Sequence, residues 1–461
     1  MSFSEIIRLA ETGDHAEALR IASEMLNDDP DNPKLLFAIA DCYHKGQRWA
    51  LAAHMLRRAI SYEPEQGALW NNLGNNLLHV GYGNQDHLEE AEACLHRALE
   101  IDPHDSEALN NLSVFYTHTG DFQRGLEYGT QSLKQDPGDD KPRYNMGLCY
   151  LALGDYPRGW RGYEKGAVGG RFKKNADYGL PKWEGGAGET VILYGEQGLG
   201  DEIMFASMVP DMMTECSPIL DCDERLRPLF ARSFPSTLVF GDRFKTRDVD
   251  WHDKVGAHAQ MPVGSLGQYF RLRKEDFPGT PYLIADPNKR KQIRMLLDDL
   301  GPKKKIGLAW SGGITKTFER RRSLTLKDYE PLLAYDADFI SLQYKNPPDD
   351  PRIRHWPQIA ENKDMDHVAA LIAELDLVIT VTTTVVHLCG ALGVPCLVFV
   401  PKTPQWRYGT EGDKMPWYNS VELLRQEEEW PINQACRRLS QMNIEKRKPP
   451  SMKTRITVSP P

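Results

Sequence analysis

Apolar residues recur at three- and four-residue intervals through the first third of the chain, beginning with the amphipathic stretch Met1 to Gly13. That spacing predicts helices. Pro30, Pro64, Pro103 and Pro137 each close a helical stretch, such as Ala98-Leu99-Glu100-Ile101-Asp102 before Pro103, at intervals of 34, 39 and 34 residues. After Trp160 and Tyr163-Glu164 the pattern dissolves into a Gly-rich, basic joint from Gly166 to Gly188. Short β-branched runs then alternate with helical patterns: strands are predicted at Val191 to Tyr194, Pro218 to Asp221 and Thr237 to Phe240. A polar helix from Pro287 to Leu300 opens a second series, with strands at Ile306 to Trp310, Phe339 to Gln343, Leu377 to Val381 and Cys396 to Val400. Strands alternating with helices imply parallel sheets with right-handed crossovers, and two such series imply two Rossmann-like halves facing across a cleft.

The repeat has an internal grammar. Ten residues after each proline stands a small residue (Ala40, Gly74, Ser113, Gly147), three further on a large one (Tyr43, Leu77, Tyr116, Tyr150), and then a turn glycine (Gly46, Gly81, Gly120, Gly154). A period of 34 residues over four units is that of the tetratricopeptide repeat, whose hairpins stack into a curved α-solenoid with a concave binding surface. Asn72, Asn111 and Asn145 occupy equivalent inner-helix positions, from which an amide can bond a peptide backbone without reading its side chains. The segment resembles the repeats of O-linked N-acetylglucosamine transferase, which carry such a ladder; the alternative is that Asn is simply common at this position.

Composition narrows the function. The chain has 461 residues with 65 acidic against 56 basic side chains, a formal charge of −9 that argues against a general nucleic-acid binder. No apolar stretch approaches the roughly 20 residues of a membrane span, and Met1 to Gly13 lacks a signal-peptide block. The 8 cysteines form no Cys-x-x-Cys pair and lie in apolar patterns, as buried free thiols of a reducing, cytoplasmic compartment would.

Three strand–turn–helix junctions carry candidate chemistry. Gly195-Glu196-Gln197-Gly198-Leu199-Gly200-Asp201 follows the first strand; its glycines let backbone approach a ligand closely, and Asp201 is placed either to take a proton from an attacking hydroxyl or merely to cap the helix. Trp310-Ser311-Gly312-Gly313 is followed by Lys316 and Arg320-Arg321-Arg322-Ser323, a concentration of donors suited to a departing diphosphate. Val381-Thr382-Thr383-Thr384 leads into a helix bearing His387; Thr383 and Thr384 offer hydroxyls and amides to phosphate oxygens, while an imidazole on an apolar helix is more often a core residue. Asp221-Cys222-Asp223 and Asp364-Met365-Asp366 look like metal motifs, but the first ends a strand and the second fits a helix start, and no metal or cofactor is expected.

These junctions, with Pro404-Gln405-Trp406-Arg407-Tyr408, Pro416-Trp417-Tyr418 and Leu423-Leu424-Arg425-Gln426, resemble the heptosyltransferase-like branch of the GT-B glycosyltransferases over about Trp160 to Leu439. With the repeats, the chain resembles bacterial tetratricopeptide glycosyltransferases, some of which glycosylate proteins. The resemblance implies a tetratricopeptide solenoid over 1–168 followed by an α/β GT-B fold, with an acceptor-side half over 169–286 and a nucleotide-sugar half over 287–445; the basic, Pro-rich composition of 446–461 predicts a disordered tail. The resemblance also implies that Asp201 is the general base of an inverting, metal-independent transferase and that Arg322, Thr383 and His387 hold the donor phosphates; the residue pattern adds Lys316, Ser323 and Thr384 as donor contacts and Gly198 and Gly200 as acceptor or loop contacts. A protein or peptide acceptor on the repeats is the expected partner, with a homodimer compatible with the solenoid. One departure stands out: the family usually has an aspartate just before the threonine of the third motif, and this chain has Thr382. Losing that carboxylate favours the alternative of a catalytically decayed scaffold whose GT-B module senses nucleotide-sugar or is inert.

Overall fold

A computed structural model describes residues 3–81, 85–168, 177–243, 250–313, 319–361 and 364–447. Its N-terminal part consists of helices: α1 (Phe3–Thr12), α2 (His15–Asp28), α3 (Pro33–Lys45), α4 (Trp49–Tyr62), α5 (Gly67–Val80), α6 (Gln85–Ile101), α7 (Ser106–Thr119), α8 (Phe122–Gln135), α9 (Asp140–Ala152) and α10 (Tyr156–Val168). Caps set many of their starts: the side chains of Asn32, Asp105, Asp121 and Asp139 each accept a first-turn backbone N–H. The helices make five hairpins, one more than the proline spacing counts, because α1 and α2 precede the first proline of the series. The small residues lie where paired helices touch. A Cβ on Gly74 would meet Leu95 at 2.7 Å, whereas one on Gly147 would meet the backbone of Gly162 at 2.6 Å. At the last hairpin, small therefore faces small, not small facing large. Gly120 and Gly154 have positive φ as turn glycines do, but near Gly46 the left-handed residue is Gln47.

Two sheets follow. β1 (Thr190–Tyr194), β2 (Ser217–Asp221), β3 (Leu238–Phe240) and β4 (Ala259–Pro262) form a parallel sheet in the order β3-β2-β1-β4. β5 (Lys305–Ala309), β6 (Asp338–Ser341), β7 (Ile353–Arg354), β8 (Leu377–Val381), β9 (Cys396–Val400), β10 (Lys414–Met415) and β11 (Tyr418–Arg425) form the second, in the order β10-β11-β9-β8-β5-β6-β7. Only β10 is antiparallel among the described strands. The second sheet is buried on both faces, as crossover helices require: Leu377, Ile379 and Val381 pack with Tyr329 and Phe399 on one side, while Val378 and Val398 face the core shared with the first sheet.

That shared core runs without a break from the end of the solenoid through both sheets. Its pivot is Trp160 on α10. The indole is 1% exposed, donates Nε1–H to the Arg271 carbonyl at 2.7 Å, and meets Trp406 edge-on at 5.6 Å. Within the Gly-rich joint, 169–176 lie outside the described residues; beyond them, Trp183 N–H donates to the Gln260 carbonyl at 3.0 Å along the edge of β4. The chain joins the second half before helix Pro287–Asp298, since Tyr282 and Leu283 already donate to the Ala391 carbonyl. Lys446 and Arg447 pair with Tyr335 and Ala334, so the tail's first two residues are ordered against the second half; 448–461 lie outside the described residues. All eight cysteines are free and buried, and among the described residues no helix is long and apolar enough to cross a membrane.

Candidate functional site

The carboxyl ends of β1, β5 and β8 meet at one place. After β1, the turn Gly195–Gly198 starts helix Leu199–Phe205, which presents Asp201 in its first turn. One carboxylate oxygen of Asp201 accepts the Gly198 N–H at 3.3 Å; the other lies 2.6 Å from Arg407 Nη2. The cap and the cleft position thus belong to the same side chain. Arg407 comes from the 3₁₀ turn Trp406–Tyr408 of the second half, so this ion pair bridges the halves.

Arg322 enters from the loop after β5 and donates to the Thr382 carbonyl at 3.1 Å. Burial, and secondarily the neighbouring charges of Tyr408, Arg407 and Asp201, act on its guanidinium, with burial drawing it below the usual arginine range. Thr383 caps helix Thr384–Leu392, accepting the Val385 N–H, and a Cβ on Gly312 would strike its methyl at 2.5 Å. Ser323 Oγ accepts the Gly312 N–H at 3.4 Å. His387 is 2% exposed; burial first, then Arg407 and Arg322, holds its imidazole neutral, and it meets Tyr418 OH at 3.3 Å. A Cβ on Gly200 would lie 2.9 Å from that imidazole and 3.6 Å from Thr384 Cα. Asp201, Gly198, Gly200, Arg322, Ser323, Thr383, Thr384 and His387 are therefore drawn together; Lys316 lies outside the described residues.

The asparagine ladder takes part in hydrogen bonds of the solenoid itself. Asn145 is 3% exposed and donates to Asn110 Oδ1 at 2.9 Å; Asn111 donates to Asn71 Oδ1 at 2.8 Å; Asn72 donates to Ala68 O one turn back. These amides tie neighbouring inner helices together, or their own helix. A cavity of about 440 Å³ lies between α1 and α3, lined by Phe3, Ile7, Phe37 and Lys45. Another, of about 390 Å³, lies between the halves against Asp211, Arg271, Phe277 and Trp417, and none of the candidate site residues singled out from sequence lines it.

Three features at the site escape sequence reasoning. Arg407 is one, legible only as part of a motif without a role. The second is Glu202, which pairs with buried Arg243 and accepts the Asp223 N–H at 2.9 Å; burial pushes it up and Arg243 opposes that shift. The third is Glu196, 7% exposed, whose Oε1 accepts Tyr163 OH from α10 at 3.0 Å and the Gly264 N–H at 3.2 Å. Burial, with the charge of Asp201 adding to it, pushes Glu196 up to about 8. The sign follows by linkage: the fold holds the proton that the unfolded chain releases, so this stabilisation is full below about pH 4.5 and is lost as pH rises toward 8. Glu196→Gln should be close to wild type in melting temperature at pH 5 and more stable at pH 8. Parallel melting curves across that range would refute it.

The two acidic motifs are engaged within the fold. Asp221 accepts from Tyr178 OH and the Asp242 N–H, Asp223 binds Arg225 and Arg243, and Asp364 caps helix Met365–Ile372. Among the described residues no three His, Cys, Asp or Glu side chains are grouped to hold an ion.

Residues 9–77 and 81–140 match models of the tetratricopeptide repeat, a module that typically mediates protein interactions. Protein FlbA of Caulobacter vibrioides is 28% identical over 429 residues, which cover 85% of this chain and 69% of the relative. Among solved structures, MamA is 18% identical over 38% of this chain and 97% of its own, with a TM-score of 0.31. A tetratricopeptide protein of Thermus thermophilus, TTC0263, is 17% identical over 36% of this chain and 88% of its own, with a TM-score of 0.33.

Proposed function

We propose that this chain is an inverting glycosyltransferase of the GT-B type that moves a sugar from a nucleotide-sugar to an acceptor hydroxyl. One observation carries the reading: a carboxylate from the first sheet meets two arginines, a helix start and a neutral histidine from the second, all at the carboxyl ends of parallel strands, where open α/β sheets bind ligands. Asp201 takes the acceptor's proton as the acceptor oxygen bonds to the anomeric carbon. The bond from that carbon to the donor's phosphate oxygen breaks, and its electron pair leaves with the nucleoside diphosphate. Arg322, Arg407 and the amides at Thr383–Thr384 stabilise the leaving charge, the largest electrostatic demand of the step. Neutral His387 is suited to a hydrogen bond, not to a countercharge. Lys316 is proposed as a further donor contact, and no metal is required of the mechanism.

The repeats would recruit a protein or peptide acceptor, with the solenoid's last hairpins abutting the site: His118 O accepts from Arg321, and Gly120 approaches Thr403. Thr382 in place of the family's aspartate favours the second reading, a scaffold with a sensing or inert module. A thermal-shift and calorimetry panel of UDP-, GDP-, ADP- and CMP-sugars, with and without chelator, separates the enzyme from an inert module, and release of the free nucleotide from the donor that binds separates it from a sensor. One nucleotide at a hundredfold excess over its Kd should stabilise the protein by about 2.7 kcal/mol with chelator present. Binding by none would transfer the case to the scaffold.

A further inference from the structure

The Asp201–Arg407 pair poses a problem for the proposed chemistry. The Asp201 oxygen not held by the Gly198 N–H is covered by the Arg407 guanidinium at 2.6 Å, the two side chains being 15% and 11% exposed, so an acceptor hydroxyl cannot reach it while the pair is intact. We propose that Arg407 is an exchange residue, paired with Asp201 while the donor site is empty and transferred to the diphosphate when nucleotide-sugar binds, which frees Asp201 to act as base. The proposal rests on the glycosyltransferase reading and adds an order to it, donor before acceptor chemistry.

The geometry assigns the mobile part to the arginine. Asp201 is fixed on a helix, with its second oxygen on the Gly198 N–H. Arg407 sits on a three-residue turn; among the described residues its guanidinium has Asp201 as its ion-pair partner and the Trp406 ring at 5.6 Å, and its Nε is buried without a hydrogen-bond partner. The charges around it also favour an incoming anion. Arg322 acts on the same neighbourhood, and both arginines bear on His387. Two guanidiniums near one carboxylate, in a site walled by Gly200 against His387, are better matched by a diphosphate, which offers each fork its own pair of oxygens. Asp201 then stands in for the phosphate until the donor arrives, and the pair closes the cleft by linking the two halves.

The test is calorimetric titration of the full chain with UDP, GDP, ADP, CMP and inorganic pyrophosphate, in wild type, Asp201→Asn, Arg407→Gln and the double variant. Releasing Arg407 should make Asp201→Asn bind about tenfold more tightly, and Arg407→Gln about tenfold more weakly, than wild type. In the double variant the gain from Asp201→Asn should vanish, because the residue it releases is gone. A gain that persists in the double variant means that Asp201 merely repels the ligand, and overturns the exchange; so does an Asp201→Asn that binds as wild type does. If Arg407→Gln fails to fold, Arg407→Met, which keeps the length of the side chain and removes the charge, takes its place with the same cycle. Binding of no probe by any variant overturns the donor-site reading and the exchange together, whereas binding without the coupled gain removes the exchange alone.

Discussion

Gly162→Val is expected to lower stability by about 3 kcal/mol, the upper part of the range for overfilling a packed interior. The reason is which atoms stand in the way. A Cβ at this position on α10 falls 2.5 Å from the Arg143 carbonyl oxygen and 2.5 Å from Gly147 Cα, both backbone atoms of α9. No rotamer change relieves a clash with a helix backbone, so the two helices must part. α10 cannot move alone, because it carries Trp160 and Tyr163 into the core shared with the sheets. Trp160 lies so close to Gly267 that no side chain fits there, and Tyr163 OH holds Glu196 in the loop before Asp201. The valine should therefore be felt in the α/β part as well as in the last hairpin. Scanning calorimetry should show a single transition displaced by roughly 3 °C, since an unfolding entropy of about 2.1 cal/mol/K per residue gives about 1 °C per kcal/mol for a chain of this length. Gly154→Ala is the comparison: its φ of +80° is strained for alanine, but the added methyl meets open space, so its loss should be near 1 kcal/mol. A valine variant melting within about 1 °C of wild type, about 1 kcal/mol on that scale, would show that α9 and α10 are free to separate.

The same contact explains what could and could not be seen in the chain beforehand. The small residue ten positions after each proline was visible, because a repeat imposes its packing at a fixed period. Its partner was not: Leu95 opposite Gly74 and Gly162 opposite Gly147 depend on the second helix of each hairpin, which follows no strict sequence rule. The strands on the core side of both sheets were legible as β-branched runs. β4 was not, because Gln260 and Pro262 interrupt its apolar run, and β11 was not, because its polar Asn419, Ser420 and Glu422 look like loop. The three glycine junctions were legible, since tight turns after strands demand small residues. The pairing of Asp201 with Arg407 was not, because it joins residues of different halves that only the closed cleft brings together. The asparagine positions were legible from the repeat, but the bonds from Asn111 to Asn71 and from Asn145 to Asn110 were not, because they join different hairpins.

The larger expected effect on activity is that of Asp201→Asn, which should reduce kcat for transfer by about 10²- to 10⁴-fold, the range attached to a positioned general base. The argument for this carboxylate is partly one of elimination at the loop after β1, where three acids stand close together. Glu196 is buried and pushed up to about 8, so near neutral pH it already holds the proton that a base would have to accept. Glu202 is bound to Arg243 and to the Asp223 N–H, and its carboxyl fills the space that a side chain at Gly195 would need. Asp201 alone of the three reaches the opposite half. Asparagine keeps its shape and an oxygen for the Gly198 N–H, so the helix start should survive and the melting temperature should stay near that of wild type. Loss of turnover with nucleotide binding retained or strengthened would then be a chemical defect, not a folding one. Glu196→Gln, by contrast, should stay within a few-fold of wild-type turnover at pH 7, since it replaces one neutral group by another. If the two variants exchanged these phenotypes, the proton would pass through Glu196. If Asp201→Asn kept full activity, the base assignment would fail, and the pair with Arg407 would be a clasp between the halves.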